Sequence, residues 1–112
     1  MNYPGGVGGT QQERQVAIML SNLALSYTDR QFDHFANMPY RAFLRTKYWK
    51  MVRQIVLLVN PSCVLCDSRH NLNVHHKRYS HHGWEHLWLE RDLIVLCQDC
   101  HKRHHHMIEN PE

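Results

Sequence analysis

The chain has 112 residues, of which 43% are hydrophobic, and it carries 13 basic and 10 acidic side chains. This length predicts a single domain, and its core is small enough that a bound metal would add usefully to its stability. The apolar runs are far shorter than the roughly 20 residues that cross a bilayer, and the first 20 residues do not form a signal peptide. We therefore expect a soluble, cytoplasmic protein without membrane contact.

The charge is distributed unevenly along the chain. Residues 1–39 contain two basic and three acidic side chains, whereas the remainder contains 11 basic and 7 acidic ones. A polyanion would bind the basic part, but a charge run is also typical of a solvated helix face. Both interpretations apply to residues 40–62, which contain no acid and five basic residues: Arg41, Arg45, Lys47, Lys50 and Arg53.

The amino-terminal third divides into a tail and a helical region. Residues 1–9 include four glycines and a proline, which predicts a flexible tail. Thr10 and Glu13 have the spacing of a capping box, so a helix is expected to begin there and to continue to about Tyr27. A second short helix is predicted between Thr28 and Pro39. Residues 10–39 thus form a helical region that precedes a domain spanning residues 40–112.

The remaining elements alternate in type. Apolar residues recur at three- and four-residue steps from Tyr40 to Val59, which predicts one helical face that ends at Asn60 and Pro61. The segments 72–75 and 93–96 have β-type composition, and residues 98–108 are expected to form a terminal helix. The predicted fold class is therefore α+β.

Two Cys-x-x-Cys motifs flank the predicted strands: Cys63 with Cys66, and Cys97 with Cys100. Each motif presents two sulfurs to one ion, and two facing motifs complete a tetrahedral zinc site. Disulfides are disfavoured in an intracellular protein, and four free cysteines are disfavoured by the repeated spacing. We predict one structural zinc, which requires the 30 intervening residues to fold back.

Ten of the eleven histidines lie between positions 70 and 106. Adjacent strand residues point to opposite sides, so one of His75 and His76 can bind an ion while the other stays free to accept a proton. His101 and His105 share a helical face and can supply further ligands. Three imidazoles and a water would make an open Lewis-acidic site.

A larger set of positions forms a pattern along the second part of the chain: Tyr40, Leu44, Trp49, Arg53, Cys63, Val74 to Tyr79, Gly83 to Glu85, Asp92, Leu93 and Leu96 to His101. Together these positions resemble the HNH endonucleases, which cut DNA phosphodiesters with a ββα-metal, or His-Me finger, fold. The resemblance covers about residues 40–106 and leaves residues 1–39 outside it. Because many positions match in order, it is more specific than a single Cys-x-x-Cys motif.

The resemblance implies a role for each matching position. His75 would be a metal ligand, His76 the general base, and His101 the last histidine of the motif, with His105 added as in the three-histidine members. His104 and His106 leave the register of that last ligand open. Asp92 stands where the family usually has an asparagine that braces the loop of the base. A carboxylate accepts hydrogen bonds but does not donate them as an amide does.

The implied reaction is metal-dependent hydrolysis of DNA. His76 would deprotonate a water that attacks phosphorus in line, while a divalent metal stabilises the phosphate and the leaving 3′ oxygen. Imidazole ligands favour Ni, Co, Zn or Mn. Mg is also a candidate metal when phosphate oxygens complete its coordination. Five basic residues are candidates for phosphate contact: Arg53, Lys77, Arg78, Lys102 and Arg103.

Two other functions fit the same residues. If Asp92 marks a lost activity, the chain is a DNA-binding module that is stabilised by zinc and has little catalytic activity. A fold does not by itself guarantee a function. Alternatively, the chain is an accessory protein of a phage or mobile-element assembly that docks through residues 10–39. The loop histidines, namely His81, His82 and His86, are expected to be solvated or to support the ligands, and Tyr79 and Glu85 to shape the loop.

Overall fold

The computed structural model describes residues 10–109, and the side chains of residues 10–103. It is a small α+β domain, as predicted. No helix in this range is long and apolar enough to cross a bilayer. The elements in chain order are α1 (Gln11–Ser26), α2 (Asp29–Asn37), α3 (Tyr40–Phe43), α4 (Lys47–Val59), β1 (Leu72–His76), a 3-10 helix (Glu85–Leu87), α5 (Leu89–Asp92), β2 (Leu93–Cys97) and α6 (Gln98–Glu109). The predicted tail of residues 1–9 lies outside the described residues.

Side-chain caps start the amino-terminal helices where the sequence predicts. The Thr10 hydroxyl accepts the backbone N–H of Glu13 at 3.0 Å, and the Glu13 carboxylate accepts the N–H of Thr10 at 2.8 Å. Thr28 and Gln31 repeat the same reciprocal pair at the start of α2. These bonds satisfy amide groups that a helix cannot satisfy internally. Both predicted helices are confirmed.

The single helix expected from Tyr40 to Val59 is wrong, because the chain breaks between α3 and α4. The Thr46 hydroxyl accepts the backbone N–H of Trp49 at 3.0 Å and donates to the carbonyl of Phe43 at 2.7 Å. The Thr46 side chain thus pairs with a backbone carbonyl at the end of α3 and with a backbone N–H at the start of α4. The break therefore leaves few backbone polar groups unpaired. Leu44, at the break, is 37% exposed instead of buried in the core.

The strands β1 and β2 form a two-stranded antiparallel sheet. Each strand is one residue longer than predicted. The register places His75 opposite Ile94 and His76 opposite Leu93. The segment between the strands, expected to be a loop, contains the 3-10 helix and α5.

One hydrophobic core joins the amino-terminal helices to the sheet. It contains Val16 and Leu23 from α1, Phe32 from α2, Ile55 from α4 and Val95 from β2. A second, smaller cluster consists of Leu96 packed among the buried cysteines. Helices α1 and α2 therefore share their core with α4 and the sheet.

Gly83 anchors the β1–β2 connection against α2. Its φ is +95°, and a Cβ atom added there would lie 2.7 Å from the backbone nitrogen of Ala36 and 2.8 Å from the carbonyl oxygen of Phe32. A side chain would be strained by the backbone conformation and would also collide with main-chain atoms of the helix. The position therefore requires glycine.

We expect Gly83→Ala to lower the free energy of unfolding by about 2 to 4 kcal/mol, because positive-φ strain and overpacking each cost on the order of 1 to 3 kcal/mol. Denaturant unfolding measures this difference. Leu25→Ala, at a side chain that is 85% exposed, should change stability by less than about 0.5 kcal/mol. Equal stability of the two variants would contradict the close packing at Gly83.

Candidate metal centres and histidine network

Four cysteines converge from three elements. Cys63 and Cys66 lie in the turn after α4, Cys97 ends β2, and Cys100 lies in the first turn of α6. The four sulfurs lie within 4.8 Å of one another, and the Cys66 and Cys97 sulfurs are 3.6 Å apart. A tetrahedral zinc with Zn–S bonds of about 2.3 Å separates its sulfurs by about 3.8 Å. The cluster therefore fits the predicted structural zinc.

The surroundings of the sulfurs favour thiolate formation at one of them. Burial acts to raise the pKa of Cys63, but hydrogen bonds from backbone N–H groups of Cys97, Cys66 and Leu65 outweigh it and lower that pKa to about 6. The Cys97 sulfur raises the pKa of Cys100 to about 12. Four adjacent thiolates would repel one another, and a dication relieves that repulsion.

His75 and His101 meet on one side of the sheet. The His75 Nδ1 and His101 Nε2 atoms are 3.1 Å apart, which brings a β1 residue against α6. Two nitrogens that bind one metal at about 2.0 to 2.1 Å in tetrahedral geometry lie about 3.4 Å apart. The observed distance is close to that separation, and it is also that of a hydrogen bond between the two rings. The side chains of His104, His105 and His106 lie outside the described residues, so the third ligand stays a prediction.

His76 lies on the opposite side of β1 and is completely buried. Its side chain has 0% exposure, and its ring stacks on Trp49 and Tyr79 with centroid distances of 4.9 Å. Both ring nitrogens have partners: Nε2 is 2.9 Å from Glu85 Oε2, and Nδ1 is 3.0 Å from the Tyr40 hydroxyl. Solvent therefore does not reach the predicted base directly.

Glu85 is the centre of this buried network. Its Oε2 also lies 2.9 Å from His82 Nδ1, and its Oε1 accepts the backbone N–H of Gly83 at 2.9 Å. Burial acts to raise the Glu85 pKa, but hydrogen bonds from His76, the Glu85 backbone N–H and His82 lower it overall. Glu85 is thus a carboxylate that accepts three hydrogen bonds. His76, His82 and Glu85 are also close enough to hold a metal.

The same network assigns the tautomer of His76. A carboxylate only accepts hydrogen bonds, so in the neutral ring Nε2 carries the proton that faces Glu85. Nδ1 then keeps its lone pair and accepts a hydrogen bond from the Tyr40 hydroxyl. Glu85 belongs to the motif from Gly83 to Glu85 and was expected to shape the loop, but its contact with His76 was not predicted. His82 was expected to be solvated or to support the ligands, and its contact with Glu85 was not predicted either.

The other loop histidines have separate partners. His86 was expected to be solvated or to support the ligands, but it is buried, stacks on Phe32 with a centroid distance of 4.6 Å and lies 2.9 Å from the Tyr48 hydroxyl. Burial lowers the His86 pKa, so the ring is favoured in its neutral form. It belongs to the core. His81 is half-buried and stacks on Trp88 at 3.9 Å.

Asp92 braces the segment after β1 through its main chain. Its carbonyl oxygen accepts the N–H of Lys77 at 2.6 Å, and its Oδ2 lies 2.8 Å from His81 Nδ1. The side chain is 1% exposed, and Oδ1 has no hydrogen-bond partner among the described residues. The position thus supports the loop that follows His76 without an amide donor.

All five predicted phosphate-binding residues are exposed, but three also have contacts within the chain. Arg53 donates to the Leu72 carbonyl at 3.2 Å, Lys77 to the Glu90 carbonyl at 3.0 Å, and Arg103 lies 3.6 Å from the Cys100 sulfur. Arg78 and Lys102 complete the set. Lys77 and Arg78 follow β1 directly, and Lys102 and Arg103 follow His101, so both pairs flank the His75–His101 site in sequence.

Comparison of the chain with protein-family models, curated proteins and solved structures finds no match.

We expect the purified chain to hold one zinc among its four cysteines and to lose it in Cys63→Ser, because the remaining three sulfurs leave the ion incompletely coordinated. Zinc analysis together with titration of reactive thiols measures this. In the native protein the thiols should react only after chelation.

His70→Ala is the matched control, since His70 is exposed and lies just beyond the first cysteine pair. It should keep its zinc and its protected thiols. Full zinc content in Cys63→Ser would contradict the four-cysteine site.

Proposed function

We propose that the protein is a metal-dependent HNH endonuclease that hydrolyses DNA phosphodiester bonds. The observation that carries this proposal is the 3.1 Å approach of His75 to His101 on one side of the sheet, with His76 on the other side. The order of β1, β2 and α6 is also that of a ββα-metal core. The four-cysteine cluster supports it by holding the end of the strand pair where Leu72 lies opposite Cys97.

His75 and His101 would hold the catalytic ion, with His105 as the expected third ligand. Imidazole nitrogens suit Ni, Co, Zn or Mn, and Mg is accommodated when phosphate supplies oxygens. When bound, such an ion supplies Lewis-acid stabilisation to the phosphate and to the leaving 3′ oxygen. His75 is fixed for this purpose by its pairing with Ile94 in the sheet.

His76 is the proposed general base. It takes up the proton of a water whose oxygen attacks phosphorus in line, and the bond from phosphorus to the 3′ oxygen breaks. The buried Glu85 carboxylate lies 2.9 Å from Nε2 and stabilises the imidazolium that forms. Asp92 takes the bracing role through its carbonyl oxygen, so an aspartate in place of asparagine is compatible with the proposal.

The exposed basic residues support a nucleic-acid substrate. Arg78 and Lys102 are exposed. Arg78 lies three residues after His75, and Lys102 directly follows His101. Phosphate contacts of this kind give affinity without sequence preference and weaken as salt concentration rises. We therefore propose nicking or cutting with low sequence preference.

The burial of His76 favours one competing function, a DNA-binding module without catalysis. The His76 side chain has no exposed area, so it can accept a proton from a substrate water only if another group transfers that proton. A protein of this kind would bind DNA and metal but leave the strands intact. Its residues 10–39 would offer a protein partner the exposed Ile18 and Leu25 side chains of α1.

We expect metal-stripped protein to leave plasmid DNA intact and to cleave it after addition of Mn, Ni or Mg. His76→Ala should lower the rate by about a hundredfold or more, as loss of a general base does. Gel analysis of plasmid forms measures the rate.

His34→Ala, at an exposed histidine in α2, is the matched control and should cleave at the native rate. Full activity of His76→Ala would overturn the assignment of the base. Native protein that binds DNA without cutting it under any of these metals would establish the competing function.

A further inference from the structure

The complete burial of His76 limits how a proton can reach it. Its side chain has 0% exposure, and both ring nitrogens are occupied by protein groups. A water at a bound phosphate therefore cannot contact either nitrogen in this arrangement. If His76 accepts that water's proton, the proton passes through one of its two partners.

The two partners differ in how directly they lead to the surface. Nε2 faces Glu85, which has 0% exposure and accepts a hydrogen bond from Gly83, and whose next neighbour, His82, has a side chain that is 16% exposed. Nδ1 faces the hydroxyl of Tyr40, and Tyr40 is 41% exposed. Tyr40 is thus the more exposed of the two routes and the one that needs a single group between the buried imidazole and solvent.

We propose that the Tyr40 hydroxyl relays the proton from the attacking water to His76 Nδ1, while Glu85 positions the ring with its proton on Nε2. This inference rests on the nuclease function proposed above. In the step, the water O–H bond breaks as a new O–H bond forms on Tyr40. The original Tyr40 O–H bond breaks as Nδ1–H forms, and the hydroxide oxygen attacks phosphorus while the 3′ oxygen leaves with its bonding electron pair.

The surroundings of Tyr40 suit a group that both gives and receives a proton. Burial is the main reason that the Tyr40 pKa is raised above its ordinary value, and Tyr79 adds to the effect. The phenol therefore keeps its proton and is a donor to Nδ1 in the resting protein. The transfer returns a proton to it in the same step, so no lasting phenolate is needed.

Glu85 completes the relay on the other side of the ring. A carboxylate at Nε2 excludes the tautomer that has its proton on Nδ1, because that form would place a lone pair against the negative charge. It also stabilises the imidazolium after transfer. His76, Glu85 and Tyr40 thus form a line from a buried charge to the surface.

A packing role for Tyr40 is the competing explanation. Its ring lies beside Phe43 at 6.2 Å, Tyr79 at 5.8 Å and His82 at 5.8 Å, measured between centroids. A side chain that only fills this space should tolerate Tyr40→Phe, which keeps the ring, and should suffer more from Tyr40→Ala, which removes it. A relay predicts the reverse order.

The test compares cleavage rates of the full-length, zinc-loaded variants with plasmid DNA and Mn. We expect Tyr40→Phe to lower kcat by about tenfold to a hundredfold with KM for DNA unchanged, because the apolar ring blocks water from Nδ1. Tyr40→Ala should recover part of that loss, since the space it opens admits water to the imidazole. Tyr27→Phe, which removes a hydroxyl from another ring cluster, is the matched control and should retain the native kcat.

Long-range proton–nitrogen NMR of His76 supplies a readout that does not depend on activity. We expect the proton on Nε2 in the native protein and in Tyr40→Phe, in both cases with folding confirmed by the same spectra. A proton on Nδ1 in the native protein would overturn the relay, as would a metal-coordinated His76 ring.

The outcomes separate the relay from the nuclease function. Native cleavage that is lost in His76→Ala but complete in Tyr40→Phe would overturn the relay and leave the function standing. A Tyr40→Ala rate below that of Tyr40→Phe would likewise assign Tyr40 to packing. Cleavage that depends on His81 and not on His76 would overturn the relay by moving the base elsewhere. Native protein that never cleaves would overturn the function and the relay together.

Discussion

Two five-residue strands hold the chemistry of this protein in place, because their antiparallel pairing fixes both the direction and the position of each histidine. The register sets His75 opposite Ile94 and His76 opposite Leu93, and neighbouring strand residues point to opposite sides. His75 therefore meets α6, while His76 enters the core beside Trp49. A slip by one residue would exchange the two sides and destroy both sites. The cysteine cluster lies at the end of this sheet where Leu72 pairs with Cys97, and a zinc there would oppose such a slip.

Glu85 is the second constraint, since it is a buried charge that holds the connection between the strands. Its carboxylate binds His76 in β1, His82 in the connection and the N–H of Gly83, which packs against α2. Removing one partner from a buried ionic network costs on the order of 3 to 5 kcal/mol, because the remaining charge stays unpaired. The network therefore gives the imidazole a defined tautomer and links the amino-terminal helices to the site. The amino-terminal helices thus pack against the connection that carries Glu85.

Local patterns in the sequence predicted the local features of the fold. The capping box at Thr10 predicted the start of α1, and the two cysteine pairs predicted a cluster that the structure brings together. Alternation along β1 predicted opposite directions for His75 and His76. Each of these features depends on residues close together in the chain or on a well-defined ligand geometry.

Most of the contacts that were missed are non-local. The break before α4 is the exception, because it depends on hydrogen bonds of the Thr46 hydroxyl to residues three positions away, which the apolar periodicity does not report. The burial of His86 depends on Phe32 and Tyr48, which lie far away in sequence. The contact of Tyr40 with His76 spans 36 residues. Periodicity describes which side of an element is apolar, but it does not identify the partner across the core. Partners of this kind decide whether a histidine acts as a ligand, a base or a packed ring.

Metal-specific X-ray scattering from crystals of the full chain, grown with zinc and soaked with Mn and an uncleavable DNA oligonucleotide, tests the central division of roles between the two sides of β1. The account predicts zinc among the four cysteines, manganese beside His75 and His101, and a metal-free His76 hydrogen-bonded to Glu85 and Tyr40. Manganese bound by His76, His82 and Glu85, with none beside His75, would contradict it.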